Sequence, residues 1–77
     1  SLGAALGRLR GESGSMDNRV LALLGTPADS LNKPLRQMVS LLAQGNIGLD
    51  YARLLNDLSQ WDHPDDWVQK KWARDYF

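Results

Sequence analysis

Apolar residues recur along the chain at the three- and four-residue spacing of amphipathic helices, and no stretch keeps the strict alternation of a half-buried strand. Glycine, proline and capping residues divide this pattern into about five segments. Short connections between the last three segments favour antiparallel neighbours. The sequence therefore predicts an all-α fold, a compact bundle of about five short helices, with residues 1–77 forming a single helical domain.

Residues that favour a helix start or a helix end mark most of the predicted boundaries. The predicted N-terminal caps are Ser1, Ser15 and Asp50. Pro34 fits only the first turn of the third helix, so that helix should start near Asn32 or Lys33. Gly25 and Gly45 are placed to end the second and third helices.

Two stretches carry further local signals. Gly3 and Gly7 leave one side of the first helix without side chains, which predicts the close approach of another backbone there. The glycine-containing stretch 11–14 is expected to end this helix. The segment 62–66 has the chemistry of a helix start, with Pro64 at the first helical position and acidic residues in the first turn.

The apolar stripes of these helices define the expected core. They are Leu2, Leu6 and Leu9; Val20, Leu21 and Leu24; Leu35, Met38, Val39 and Leu42; Tyr51, Leu54, Leu55, Leu58 and Trp61; and Val68, Trp72 and Tyr76. By the same spacing Arg53, Asp57 and Gln60 face water. We expect Trp61 and Trp72 in the core, because so short a chain needs their large buried area, whereas core and surface both stay open for Trp67.

Composition and charge narrow the class of protein. Of the 77 residues, 43% are hydrophobic and 23% are charged, which is ordinary globular usage, and the absence of cysteine excludes disulfides, thiolate catalysis and cysteine-based metal sites. Apolar runs are far shorter than a membrane span, so we expect a soluble, cytoplasmic protein with no membrane contact. Nine basic residues balance nine acidic ones, which gives no support for a protein that coats nucleic acid by itself.

The sequence contains few residues that could perform catalysis. His63 is the only histidine, so a multi-histidine metal site is excluded, and a place in a turn suits this residue better than a role as general acid or base. Asp62, Asp65 and Asp66 offer the oxygen ligands that magnesium or calcium prefers, but their spacing matches no complete ion loop. We therefore expect a protein that is not an enzyme and that needs no metal or other cofactor.

Six basic side chains lie off the predicted apolar stripes and so project outward. They are Arg19, Arg36, Arg53, Lys70, Lys71 and Arg74. An outward cation can contact a phosphate, or it can be solvated or join a weak surface ion pair. Helical periodicity does not gather the six into one patch. From the residues alone, the surface of the bundle can bind either an extended anionic ligand or another protein.

Several segments, in this order, resemble one known family. They are Ser1-Leu2-Gly3 with Leu6 and Leu9, the Leu35-Arg36 pair before Val39 and Leu41-Leu42, the run Leu49-Asp50-Tyr51-Ala52-Arg53-Leu54-Leu55, and the ending from Trp61 to Trp72-Ala73-Arg74-Asp75-Tyr76-Phe77. The family is CasB, the small subunit of the type I-E CRISPR Cascade complex. The resemblance covers this whole chain but only the C-terminal half of the family, so we expect residues 1–77 to be the C-terminal part of a longer subunit.

The resemblance implies a non-catalytic role in antiviral defence. CasB-like subunits are all-helical, pair as a dimer inside Cascade beside other Cascade subunits, and contact guide RNA and target DNA backbones while helping to hold the displaced strand of the R-loop. It implies that the six outward cations contact nucleic acid, on a track thinned here because Ala4 and Gln37 stand where some members carry arginine. The alternative is a helical protein–protein interaction module that docks through Gly3, Gly7 and exposed aromatic residues without touching nucleic acid.

Overall fold

The computed structural model of the chain describes residues 1–12 and 14–77. These residues form α1 (Leu2–Gly7), α2 (Ser15–Leu24), α3 (Asn32–Gln44), α4 (Tyr51–Ser59) and α5 (Trp67–Tyr76), with a short 3₁₀ turn at Ala28–Ser30 between α2 and α3. The described part of the chain contains no strand. The predicted all-α fold of five helices is confirmed. Ser13, which belongs to the predicted break at 11–14, lies outside the described residues.

Most of the predicted helix ends are confirmed, because local hydrogen bonding decides them. The Ser1 hydroxyl accepts a hydrogen bond from the Ala4 N–H at 3.2 Å. The Asp50 carboxylate caps α4 in the same way, accepting from the Arg53 N–H at 3.1 Å. Gly25 ends α2, and Gly45 ends α3.

Two predicted helix starts are wrong. Gly14, not Ser15, takes the N-cap position of α2, because its φ of +76° lies in the left-handed region that glycine enters without strain. Helix α5 begins at Trp67 instead of Pro64, and Asp66 before it has a φ of +51°. The segment 62–66 therefore forms turns, in which Nδ1 of His63 accepts a hydrogen bond from the Asp65 N–H at 3.1 Å, as expected of a turn residue.

Helix α1 is shorter than predicted. It ends at Gly7, with Arg8 at its C-cap, before the stretch 11–14. The N–H groups of Leu9 and Arg10 bond to the carbonyls of Leu6 and Gly7, so the chain leaves the helix through tight turns. Leu9 still packs against the core from outside the helix.

The core lies where α5 meets α1 and the other helices. Its buried members are Leu2, Ala5, Leu6, Val20, Leu23, Leu31, Met38, Leu42, Leu54, Trp61, Val68, Trp72 and Tyr76. Trp61 and Trp72 are core residues as predicted, with ring centroids 5.1 Å apart. Trp67 is half-buried and packs against this cluster.

The predicted inner faces of α2 and α4 are partly wrong. Leu21 is exposed, and Leu23 is the residue of α2 that joins Val20 in the core. On α4, Tyr51 is 59% exposed and Leu55 is 67% exposed. The apolar stripe of α4 is wider than the one side that the bundle covers, so only part of it is buried.

The prediction that Asp57 faces water is wrong, because this residue is only 3% exposed. Its carboxyl oxygen Oδ2 accepts a hydrogen bond from the indole Nε1 of Trp72 at 2.9 Å. A buried indole N–H needs an acceptor, and α4 supplies it from the position one turn after Leu54. Asp57 is therefore buried despite its polarity, because it accepts the hydrogen bond of a buried tryptophan on another helix.

Helices α1 and α5 pack with their backbones in close contact. A Cβ atom built on Gly3 would lie 2.7 Å from Cα of Trp72 and closer still to the Trp72 carbonyl oxygen. At Gly7 the same atom would lie 3.5 Å from the Tyr76 carbonyl oxygen. The predicted close approach along the Gly3 and Gly7 side is confirmed, and it fixes α5 on the bundle.

None of the helices described is long and apolar enough to cross a membrane.

Candidate nucleic-acid interface

Helix α5 carries three of the six predicted cations. Its packing face holds Val68, Trp72 and Tyr76 in the core, so Lys70 and Arg74 are exposed and Lys71 is half-buried. Lys70 and Arg74 are one turn apart, and Lys71 is adjacent to Lys70. We call these three residues the α5 strip.

The α5 strip keeps its charges available to an outside anion. Within the part of the chain that the structure describes, neither lysine of the strip has an ion pair. Nε of Arg74 lies 3.8 Å from Oδ1 of Asp75, but the Arg74 side chain is 76% exposed, so solvent screens this pair. Asp75 also accepts a hydrogen bond at Oδ2 from the Ser1 hydroxyl at 2.7 Å.

A second group of cations lines the broad groove between α2 and α3. Arg19 comes from α2, and Lys33 and Arg36 come from α3. The groove has a volume of about 1000 Å³, and Asp29 is its one acidic lining residue among those described. The structure thus brings together two predicted residues and adds Lys33, which sequence reasoning missed; its position three residues before Arg36 is the signal that could have identified it.

Arg53, the remaining predicted cation, lies near Arg8. Both line a smaller pocket of about 240 Å³ with Ser1 and Asp50, where α1 meets the start of α4. Nε of Arg53 is 3.8 Å from Oδ2 of Asp50, and the Arg53 side chain is 73% exposed. Sequence reasoning missed Arg8 as well, because no periodicity within one helix relates it to α4.

Arg10 is a cation whose partners lie within the bundle itself. Its Nε lies 3.1 Å from Oδ1 of Asp17 and its Nη2 lies 3.4 Å from Oδ2. The guanidinium also stands over the rings of Tyr76 and Phe77, at 5.6 and 5.2 Å from the centroids. Arg10 therefore ties the segment after α1 to α2 and to the end of α5.

The Tyr76 hydroxyl completes this arrangement by donating a hydrogen bond to Oδ1 of Asp17 at 2.6 Å. That bond, with Arg10 beside it, lowers the pKa of Asp17 below its usual value. Burial, followed by the hydrogen bond to the Asp17 carboxylate, raises the pKa of Tyr76 to about 12. At neutral pH the pair is a phenol donating to a carboxylate.

The described residues contain no group of three or more histidine, aspartate or glutamate side chains positioned to hold a metal ion. Asp62, Asp65 and Asp66 are exposed in the turns before α5. His63 uses Nδ1 to accept from the backbone. Among the described residues, cations that are exposed, or half-buried in the case of Lys71, lie at three sites: the α5 strip, the groove between α2 and α3, and the pocket of Arg8 and Arg53.

Comparison with known proteins gives two agreeing matches. The family model for CRISPR-associated protein Cse2 matches residues 1–77. The CRISPR-associated protein Cse2 of Thermus thermophilus is 45% identical to the chain over 65 residues, which is 84% of this chain. The chain spans 37% of the length of that relative. No solved structure matches the chain significantly.

Proposed function

This chain belongs to the CRISPR-associated protein Cse2 family, and we propose that it acts as part of a non-catalytic subunit of the type I-E CRISPR Cascade complex in antiviral defence. In this proposal residues 1–77 are one helical domain from the C-terminal part of a longer subunit. Its partners are the guide RNA, the target DNA, the other Cascade subunits and a second copy of the subunit. Its task is to contact the strand backbones and so stabilise the R-loop.

The α5 strip carries this proposal. Lys70, Lys71 and Arg74 form a cationic surface on a helix whose opposite face is fixed in the core, so the charges stand on a rigid support. Lysine and arginine in such a position bind backbone phosphates without reading the base sequence. In an RNA-guided complex base pairing reads the sequence, so contacts of this kind are sufficient.

The neutral net charge of the chain is compatible with this role. A subunit that neighbouring proteins hold beside a nucleic acid meets phosphates at a high effective concentration, so a few cations are enough. Arg53, with Arg8 beside it, offers a further contact of the same type. Arg19 and Arg36 differ from these cations in their surroundings, because the groove that they line also contains apolar side chains.

The experiment compares two sets of substitutions with equal change in net charge, each made in the full-length subunit assembled into Cascade. One set neutralises the α5 strip, as K70Q, K71Q and R74Q. The matched set adds three negative charges elsewhere on the exposed surface, as N18E, N56E and Q60E. Circular dichroism and thermal melting check that both variants fold.

We expect neutralisation of the α5 strip to shorten the lifetime of the R-loop and the matched set to leave it nearly unchanged. Three lost phosphate contacts should also reduce the magnitude of the slope of log affinity for target DNA against log salt by about 2 to 3, at roughly 0.7 to 0.9 per contact. An unchanged lifetime and slope in the α5 variant, or an equal loss in both variants, contradicts the proposal.

A further inference from the structure

The groove between α2 and α3 differs from the other cationic surfaces in its floor. Ala22, Pro34 and Leu41 form this apolar floor, the first exposed and the other two half-buried. Leu23 and Met38 also line the groove but are almost fully buried. Arg19, Lys33 and Arg36 line the same groove and are all exposed. The groove between α2 and α3 therefore combines apolar side chains with three cations.

We propose that this groove docks an amphipathic helix of a partner protein, one whose apolar stripe is flanked by aspartate or glutamate. The apolar stripe would pack on Ala22, Pro34 and Leu41, and the flanking carboxylates would pair with the cations that line the groove. Charge complementarity argues for this occupant, since three cations and only Asp29 as an acid line the groove within the described residues.

The dimensions suit a helix. Helix α3 has 13 residues, which corresponds to a length of roughly 20 Å at 1.5 Å per residue. A partner helix of three to four turns could lie along it and pack against both α2 and α3. The exposed polar residues Gln37, Ser40 and Gln44 line the same groove and would be in reach of such a helix.

The same features disfavour a nucleic acid as the occupant. A sugar–phosphate backbone would pair with the cations but would leave the apolar floor without an apolar partner. No aromatic side chain among the described residues lines the groove, so unpaired bases have no ring on which to stack. The α5 strip, by contrast, lines neither of the two pockets described above.

This inference rests on the proposed function in one respect, because the partner is sought among the protein subunits of the assembled complex. The proposed function and the docking proposal can nevertheless be refuted independently of each other. Variants of the α5 strip affect R-loop lifetime and its salt dependence, whereas variants of the groove affect protein contacts.

The test places a photo-crosslinking side chain, p-benzoylphenylalanine, at Ser40 in the full-length subunit within Cascade. The control places it at Asn56, which is exposed on α4 and outside the groove. After irradiation, mass spectrometry identifies the crosslinked residue. A crosslink from position 40, absent from position 56, to a protein helix with acidic residues beside its apolar stripe is the expected result. A crosslink to RNA or DNA, to another part of the same subunit, to a second copy of the subunit, or to nothing overturns the proposal.

Substitutions give a second, independent readout, the rate at which the subunit leaves the purified complex. We expect Gln37→Glu, which adds one negative charge to the groove, to raise this rate about threefold, and Gln60→Glu, an exposed control outside it, to leave the rate unchanged. Leu41→Asp should raise the rate tenfold or more, because it puts a charge into the apolar floor. Equal rates for the Gln37 and Gln60 variants argue against an acidic partner, also where Leu41→Asp fails to fold.

Discussion

The contact between α1 and α5 makes the position of Gly3 sensitive to a single methyl group. A Cβ atom at this residue would lie 2.7 Å from Cα of Trp72, whereas two carbon atoms are at their optimal distance at about 3.5–4.0 Å. The Gly3→Ala variant must therefore move α1 from α5 by about 1 Å. A gap of that size forfeits roughly a quarter to a half of the dispersion energy of each contact that it opens.

The contacts at risk include those of Leu2 and Leu6, both 1% exposed. Overpacking of a core by one carbon atom typically destabilises the fold by about 1–3 kcal/mol. The higher helix propensity of alanine relative to glycine offsets at most about 1 kcal/mol of this loss. We expect Gly3→Ala to lower the free energy of unfolding by about 2 kcal/mol. For a domain of this size the melting temperature should fall by roughly 8–16 °C.

Gly7→Ala is the matched control, since its added Cβ would lie 3.5 Å from the nearest atom, the Tyr76 carbonyl oxygen, at an ordinary contact distance. This variant should be neutral or more stable by up to about 1 kcal/mol. Urea unfolding followed by tryptophan fluorescence measures both. If Gly3→Ala is as stable as the parent, or if both variants lose the same stability, the backbone contact between α1 and α5 is not as close as described.

Three further predictions test the core and its polar contacts. Trp72→Phe should lower the free energy of unfolding by about 2–4 kcal/mol, because it leaves the carboxyl group of buried Asp57 without the indole donor. In a chain that already carries Asp57→Leu, the same Trp72→Phe change should lower the free energy of urea unfolding by at least about 1 kcal/mol less than it does in the parent chain. Leu54→Ala should cost about 2–4 kcal/mol and Leu55→Ala less than about 0.5 kcal/mol, and equal losses in thermal melts would contradict the assigned face of α4. The raised pKa of Tyr76, from about 10 to about 12, predicts a contribution to stability that is fully present below pH 10 and lost as the pH rises towards 12; melting temperatures across this range should show a smaller loss in Tyr76→Phe than in the parent chain.

The location of most helices follows from the sequence alone, because helix ends depend on nearby residues. Ser1 and Asp50 accept hydrogen bonds from N–H groups three residues ahead, and Gly25 and Gly45 stand where helices stop. The wrong start of α5 arises from the same local chemistry, since Pro64 next to acidic residues suits a turn as well as a first helical turn.

The burial of individual faces depends on tertiary structure. Spacing along α4 places Tyr51, Leu54 and Leu55 on one broad stripe, but the bundle covers only Leu54 fully. Asp57 is buried because a tryptophan on another helix needs an acceptor, and no pattern within α4 contains that information.

The grouping of the cations likewise depends on how the helices are arranged. The sequence determined that Lys70, Lys71 and Arg74 share one helix beside an apolar face. Only the tertiary structure brought Arg19 of α2 to the same groove as Arg36 of α3, and committed Arg10 to Asp17. The physical reason is that periodicity fixes the direction of a side chain around its own helix axis, whereas the distance between side chains on different helices depends on how those helices pack.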